Sequence, residues 1–502
     1  MQSVPLKCNQ KSNQFLINAS EFKALKKYSE ALVELNKSLC YATTDDQLGL
    51  IFAVRAIIFF EIQRYKTCHE NIKLAKTHGY KGEALLIENE CVEKLKDEKH
   101  SDDPWNFFKI SLPTNEKVPF IADCLKLHET WKYGRYIVTD KALKTGEILI
   151  IEEPLFKMPN KDVRYKRCAN CMKSNVMNLL PCTQQSCVST MYCSTECMKI
   201  GWKRFHKYEC GHLEDSLENN EYDLMIQRII FESLDMCDGS VEKLKTVLGG
   251  VKSSQSIYDF DVSMKDEKER DMNRLKAVYA LKKAVTSEED RLMAEWFLDN
   301  DQTLKSLCKT KEQKDFLRTF ILKIMGIIDR NSYLFYCLPS IKAKNDVEIG
   351  SGIFSFASLL NHSCSPNLYR FFVDNKQVYV TKKPIEAGEQ LFVGYLSNFT
   401  LCDRDKRQVN LLQDFQFKCS CDACVNNYPL MKDLKKYDML FVEPPTLIGD
   451  DVLTVMRIYN NNCEYIENNI KKFPFPSYEI CTTMQSSFRL LHYLANKYYL
   501  PD

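Results

Sequence analysis

GSGIFSFASLLNHSCSPNLYRFF, residues 350 to 372, is the stretch on which the reading of this 502-residue chain turns. A glycine-flanked apolar run ends in Asn361-His362-Ser363-Cys364-Ser365-Pro366-Asn367. The run reads as a buried strand. The polar string and its proline continue neither a helix nor a central strand, so they specify a rigid, non-helical crossing. His362 is a candidate ligand, base or satisfied buried histidine. Downstream come GEQLFVGYL (388–396), which contains Tyr395, and FQFKCSCDAC (415–424). In the latter Cys419, Cys421 and Cys424 form C-x-C-x2-C, three thiols and so one short of the four ligands of a closed zinc site. Cys364 can supply the fourth through the fold.

Outward from this core, VTKKPIEAGEQLFV (380–393) echoes VTDKALKTGEILII (138–151) at Val, Thr, Lys, Gly, Glu and Leu. Each copy reads as strand, tight turn at Gly146 or Gly388, and strand. One β-fold is therefore expected, split by an insertion of more than 200 residues; convergent turn chemistry is the competing reading. IADCLKLHE (121–129), GRYIVTD (134–140) and GEILIIEEP (146–154) read as strands, the first two joined by the turn WKYG. Residues 211 to 345 read as mostly helical, with SMKDEKERDMNRLK (263–276) a solvated helix or loop. Residues 431 to 502 also read as helical.

Residues 13 to 98 carry a helical period, with Tyr28, Ala31, Leu32, Leu35 and Leu39 on one face. YSEALVELNKSL from Tyr28 is similar to YKTCHENIKLAK from Tyr65, an offset of 37 residues, each tyrosine following a basic residue. The period resembles tetratricopeptide helix pairs, against an unrelated helical bundle. KLKDEKHSDDPW (94–105) reads as a linker.

Seven of the 22 cysteines fall between 168 and 210: Cys168, Cys171, Cys182, Cys187, Cys193, Cys197 and Cys210, joined by His206. They form C-x2-C, C-x4-C, C-x3-C and H-x3-C, eight ligands for two closed tetrahedral zinc sites. Spacing leaves sequential and interleaved pairing open. The region is too small to fold on an apolar core, so metal supplies its folding free energy, about 10 kcal/mol or more per site. Lys199, Lys203, Arg204 and Lys207 suggest a nucleic-acid finger as runner-up, but no base-reading spacing accompanies them.

Composition sets the bounds. Length predicts two to four domains. With 69 basic against 67 acidic residues the formal charge is +2, which offers no global attraction to nucleic acid or membrane. No apolar run reaches the roughly 20 residues of a membrane span. The N-terminus has no secretory apolar stretch, so an intracellular, reducing location is expected, where clustered cysteines read as metal ligands. Three filled zinc sites would hold eleven thiolates, moving the charge of the chain to about −3.

These motifs together resemble the SET domain, and with the cysteine cluster, which looks like a MYND finger, they resemble the SMYD family of SET and MYND proteins, in its subgroup with an N-terminal tetratricopeptide region. The resemblance covers roughly 120 to 424. It implies an α+β multidomain chain: a helical-repeat region (1–100), a linker (101–119), the N-terminal part of a split, β-rich SET domain (120–166) and an inserted MYND finger (167–210). A helical insertion (211–349), SET core (350–400), post-SET zinc segment (401–430) and helical C-terminal segment (431–502) follow. The tail is shorter than the C-terminal helical domain usual in the family.

The resemblance further implies S-adenosylmethionine-dependent methylation of lysine in a histone or non-histone protein, with about three zinc ions. It implies Cys168, Cys171, Cys193 and Cys197 on one zinc, and Cys182, Cys187, His206 and Cys210 on a second. Gly134 and Arg135 match the start of the cofactor loop, Asn361 and His362 the cofactor-binding crossing, Phe417 an aromatic on the adenine, and Tyr395 the catalytic tyrosine beside the cofactor. Tyr136 departs from the family, standing where the loop has its second glycine. That departure motivates an alternative, a weak or inactive adaptor. Peptide partners are expected on the MYND and tetratricopeptide-like regions, with a monomer in cytoplasm and nucleus and no direct nucleic-acid or membrane partner.

Overall fold

The computed structural model describes residues 6–97, 104–131, 133–174, 177–211, 221–337, 347–396, 398–445 and 452–496. The expected linker falls partly outside them, at 98–103. Its two ends are structured. Residues 94–97 complete the helix Glu88–Asp97, and Phe108, beyond Pro104, is buried against Phe371 with ring centroids 5.3 Å apart.

The N-terminal helices pair as antiparallel hairpins, Asn9–Ala24 with Tyr28–Tyr41 and Asp45–Glu61 with Tyr65–Thr77. Tyr28 and Tyr65 open equivalent helices, and the 37-residue offset extends to the bends. Lys26 and Gln63 both take left-handed backbone, with φ 57° and 61°. The apolar faces of these helices share one core with the cysteine-rich finger. A polar bolt crosses that interface. Fully buried Arg55 donates from Nε to Asn71 Oδ1 (2.6 Å), from Nη1 to Asn36 Oδ1 (2.9 Å) and Leu179 O (2.7 Å), and from Nη2 to Asn178 Oδ1 (3.2 Å). Asn36 in turn donates to the carbonyls of Tyr165 and Met177.

The β-rich part is built from small sheets. Strands β1 (Leu125–Thr130) and β2 (Gly134–Thr139) form a hairpin. β3 (Ile148–Glu152) and β4 (Phe156–Pro159) follow; β5 (Leu180–Pro181) and β6 (Met191–Tyr192) pair inside the finger. After the helical insertion come β7 (Ser332–Cys337), β8 (Val347–Ile353), β9 (Asn361–His362), β10 (Leu368–Val373), β11 (Lys376–Thr381) and β12 (Phe392–Val393). The orders are β4-β8-β7 and β10-β11-β3, with β9 parallel to β12. Chain from before and after the insertion thus meets in both three-stranded sheets.

Three expectations need correction. The insertion is not helical to residue 349: its last helix ends at Asn331, and SYLFYC alternates buried and exposed side chains as β7. The strand expected over 121–129 begins only at Leu125. Residues 434–445 are irregular, and helix resumes at Val452–Asn469 and Tyr478–Asn496, which share an apolar core with β10.

The echo has a structural cause that pattern alone did not show, for the two copies bind one another. Leu143 and Ile385 exchange backbone hydrogen bonds (2.8 and 3.0 Å), Gly146 N donates to Thr381 O (2.9 Å), and Gly388 N donates to Thr139 O (2.7 Å). Equivalent residues interchange, as about a local twofold axis. Both glycines sit at positive φ, 89° and 85°, where a Cβ is strained. Both threonines are fully buried and bond their hydroxyls to nearby carbonyls.

Candidate active site and zinc clusters

The eight finger ligands gather as two interleaved sets, Cys168, Cys171, Cys193, Cys197 and Cys182, Cys187, His206, Cys210. A third set joins Cys364 to Cys419, Cys421 and Cys424. In each, the four ligand atoms lie within 4.8 Å of one another. A tetrahedron with Zn–S bonds of about 2.3 Å has S–S edges of about 3.8 Å. The observed pairs fit: Cys171–Cys193, Cys193–Cys197 and Cys364–Cys424 are each 3.5 Å apart. His206 points Nε2 at Cys182 Sγ (3.3 Å) and Cys187 Sγ (3.5 Å), which selects that nitrogen as the ligand. The chemistry and geometry of all three sets fit about three zinc ions. Buried Arg407, whose Nη2 lies 3.8 Å from Cys424 Sγ, balances charge beside the third.

Next to that third set opens a cleft of about 580 Å³ lined by all six residues expected at the cofactor: Gly134, Arg135, Asn361, His362, Tyr395 and Phe417. They come together because the crossing forms as the sequence implies. Ser363 N donates to Val393 O (3.0 Å), Phe392 N donates to Asn367 Oδ1 (2.7 Å), and Asn367 Nδ2 donates to Gln390 O (2.9 Å). The Asn367 amide thereby replaces a missing backbone partner on both sides.

Beneath the crossing, the buried Glu152 carboxylate accepts from Ser355 N (2.8 Å), Ser355 Oγ (2.7 Å), Phe356 N (2.9 Å) and Ala357 N (2.8 Å). This fixes the turn leading to Leu360, whose carbonyl accepts the Tyr395 hydroxyl at 2.8 Å. Burial pushes the Tyr395 phenol up to about 12, so it is neutral at pH 7. His362 is also neutral, held down at about 4 by burial. Its Nδ1 accepts from Tyr395 N (3.0 Å), which places its proton on Nε2, 3.3 Å from Cys364 Sγ. One imidazole thus ties the tyrosine to a zinc ligand.

Two expected residues behave differently from the rest. Arg135 lines the cleft, yet its guanidinium donates to Gln255 O (2.6 Å) and Ala280 O (3.3 Å), clamping the glycine loop to the helical insertion. Tyr136 stays out of the cleft lining, its ring among His128 and Tyr133 at 5.9 and 6.2 Å. The sequence reading missed Tyr133, Lys282, Arg330, Asn331 and Phe415, which also line the cleft. Three of them lie in the helical insertion, which carries no motif.

A family model described as the SET domain matches residues 134–396, just over half of the chain. The chain belongs to the SET-domain family. Among SET proteins it is similar to Histone-lysine N-methyltransferase ASHR1 of Arabidopsis thaliana, 26% identical over 61% of this chain and 56% of that protein. It is also similar to Protein-lysine N-methyltransferase SMYD4 of Danio rerio (20% identical; 81% and 65% covered) and to Histone-lysine N-methyltransferase SMYD3 of Homo sapiens (26%; 59% and 60%). The chain thus spans 56 to 65% of the length of these relatives. Two of these relatives carry SMYD names, and the finger ligands lie inside the residues matched as SET. The SET domain of LSMT, solved bound to lysine and AdoHcy, overlaps at 10% identity and a TM-score of 0.25, covering 75% of this chain and 86% of that one; so slight an overlap has no bearing on the site.

Proposed function

We propose that this SET protein transfers methyl groups from S-adenosylmethionine to lysine side chains of other proteins. One observation carries the reading: the glycine loop, the Asn361–His362 crossing, Tyr395 and Phe417, four separate sequence segments, line a single cleft braced by a cysteine cluster. Gly134, Asn361, His362 and Phe417 would hold the cofactor, which supplies an electrophilic methyl on a sulfonium. Tyr395 orients the nucleophile. Its hydroxyl proton is committed to Leu360 O, leaving oxygen lone pairs to accept N–H from the incoming amine and align it. A neutral phenol is no base, so the amine must arrive deprotonated. Near pH 7.4 this costs about 4 kcal/mol for a lysine of ordinary pKa. Arg330 and Arg370, whose charges act on Tyr395, reduce that cost by disfavouring a second cation. The displaced proton leaves to water through the open cleft.

The finger and the N-terminal helical hairpins are read as recruitment surfaces for peptide segments, on a monomer working in cytoplasm and nucleus. The helical region is read as tetratricopeptide-like and the β-rich part as a SET domain split by finger and helical insertion. The adaptor alternative loses its motive, since Tyr136 packs in the β1–β2 hairpin. Among the described residues no helix is long and apolar enough to cross a membrane. Calorimetric titration of zinc-loaded protein with S-adenosylmethionine tests the reading. One site per chain is expected; no heat of binding from folded protein would sink it.

A further inference from the structure

The two ends of the cleft differ in chemistry. One is an aromatic wall, with His362 facing Tyr395 and Phe417 at 5.2 and 6.0 Å and Phe415 at 4.9 Å from Tyr395. The other is formed by Gly134, at φ +64°, and by the segment following the helix Glu267–Tyr279. There Lys282 reaches over the glycine so closely that an added Cβ on Gly134 would lie 2.8 Å from Lys282 Nζ. Any larger residue at 134 would displace the ammonium.

Lys282 is the available cation at this end. The neighbouring Arg135 guanidinium is taken by the carbonyls of Gln255 and Ala280. Among the described residues no carboxylate lies within 4.0 Å of Lys282 Nζ. The side chain is exposed and lines the cleft. An unpaired ammonium facing a bare glycine backbone forms a place for a small anion to enter without steric obstruction.

We infer that Lys282 is the counter-ion for a carboxylate on the molecule bound in the cleft. Resting on the proposed cofactor, this is the carboxylate of the amino-acid part of S-adenosylmethionine. The assignment follows from the unlike ends. A flat, neutral adenine suits the aromatic wall. The amino-acid part carries the one anionic group of the cofactor beside two cationic centres, and at the glycine end that anion meets the ammonium of Lys282 over a bare backbone. Lys282 is a binding residue; the reacting methyl and amine belong near Tyr395.

The test is calorimetry on the full, zinc-loaded chain with S-adenosylmethionine and with its decarboxylated analogue, which keeps the sulfonium and adenosine. A charge-assisted hydrogen bond in a half-open cleft corresponds to about tenfold in affinity. The wild-type chain should bind S-adenosylmethionine about tenfold more tightly than the analogue. Lys282→Met should lose about that factor for S-adenosylmethionine only, ending with near-equal affinities, while Lys282→Arg keeps most of the preference. Because the side chain is exposed, Lys282→Met should melt with the wild type. Unchanged affinity in Lys282→Met, or an equal loss for both compounds, overturns the assignment. Wild-type protein that binds neither compound overturns the cofactor reading itself, an outcome visible before any substitution is made.

Discussion

Replacing Glu152 probes the link between core and site most severely. Its carboxylate is fully buried and accepts four hydrogen bonds of 2.7 to 2.9 Å, three of them from consecutive backbone N–H groups at 355 to 357. In Glu152→Ala these donors lose their acceptor in a dry cavity. At about 1–3 kcal/mol for each orphaned donor, reduced by relaxation and by relief of a buried charge, the loss is about 3–5 kcal/mol. That is a large share of the roughly 5–15 kcal/mol stabilising a typical domain. Glu152→Gln keeps one oxygen but turns an amide N–H toward one of the donors, so about 1–2 kcal/mol is expected. The pH dependence has a definite sign. Burial raises the carboxyl pKa above the ordinary 4.5, so between the two values the folded chain binds more protons than the unfolded, and this group makes stability fall as pH rises through that window. The glutamine variant loses that contribution. Urea unfolding measures the loss, and cofactor titration of the folded glutamine variant reads the effect on the turn that carries Leu360. An alanine variant that loses less than about 1 kcal/mol would refute the reasoning.

Other outcomes follow from the same structure. Metal analysis of purified protein should give about three zinc ions per chain, and Cys364→Ser should remove one while weakening cofactor binding, because His362 packs on that ligand; a wild-type value of two would contradict the third cluster. Arg55→Met should cost about 3–5 kcal/mol in thermal or urea unfolding, since three acceptors lose their Arg55 donor outright, Asn178 keeps only Asn71, and the N-terminal helices lose their bolt to the finger; a loss within about 0.5 kcal/mol would contradict that role. Gly388→Ala should destabilise by about 1 kcal/mol or more through its positive φ, and Gly146→Ala by more, because a Cβ there would also meet Cys463 Sγ at 2.8 Å; equal effects would contradict the packing difference.

The sequence made the site legible where chemistry demands fixed residue types at fixed spacing. The cysteine and histidine pairs, the NHSCSPN crossing and the glycine turns are such places, although spacing left open which finger pairs share a metal and the fold shows them interleaved. The echo of 138–151 in 380–393 announced a relationship, but its pairing across the molecule emerges only from three-dimensional register. Strand β7 was hidden because its alternating SYLFYC follows a long helix without a breaking glycine or proline. The cations of the cleft were hidden for a different reason. Lys282 and Arg330 are ordinary surface residues of a helical segment until the fold brings them to Gly134 and Tyr395. The same holds for Arg55, one charge inside an apolar helix, whose partners Asn36, Asn71 and Asn178 are scattered over more than 100 positions.

The central claim, methyl transfer to lysine guided by Tyr395, is tested most directly by incubating zinc-loaded protein with methyl-labelled S-adenosylmethionine and candidate protein pools, then identifying the labelled residue by mass spectrometry. Label on lysine is expected with the wild type. Tyr395→Phe should lower it by about a hundredfold or more while still binding the cofactor. Wild-type protein that binds the cofactor but labels no lysine, or a Tyr395→Phe variant that labels as well as the wild type, would contradict the account.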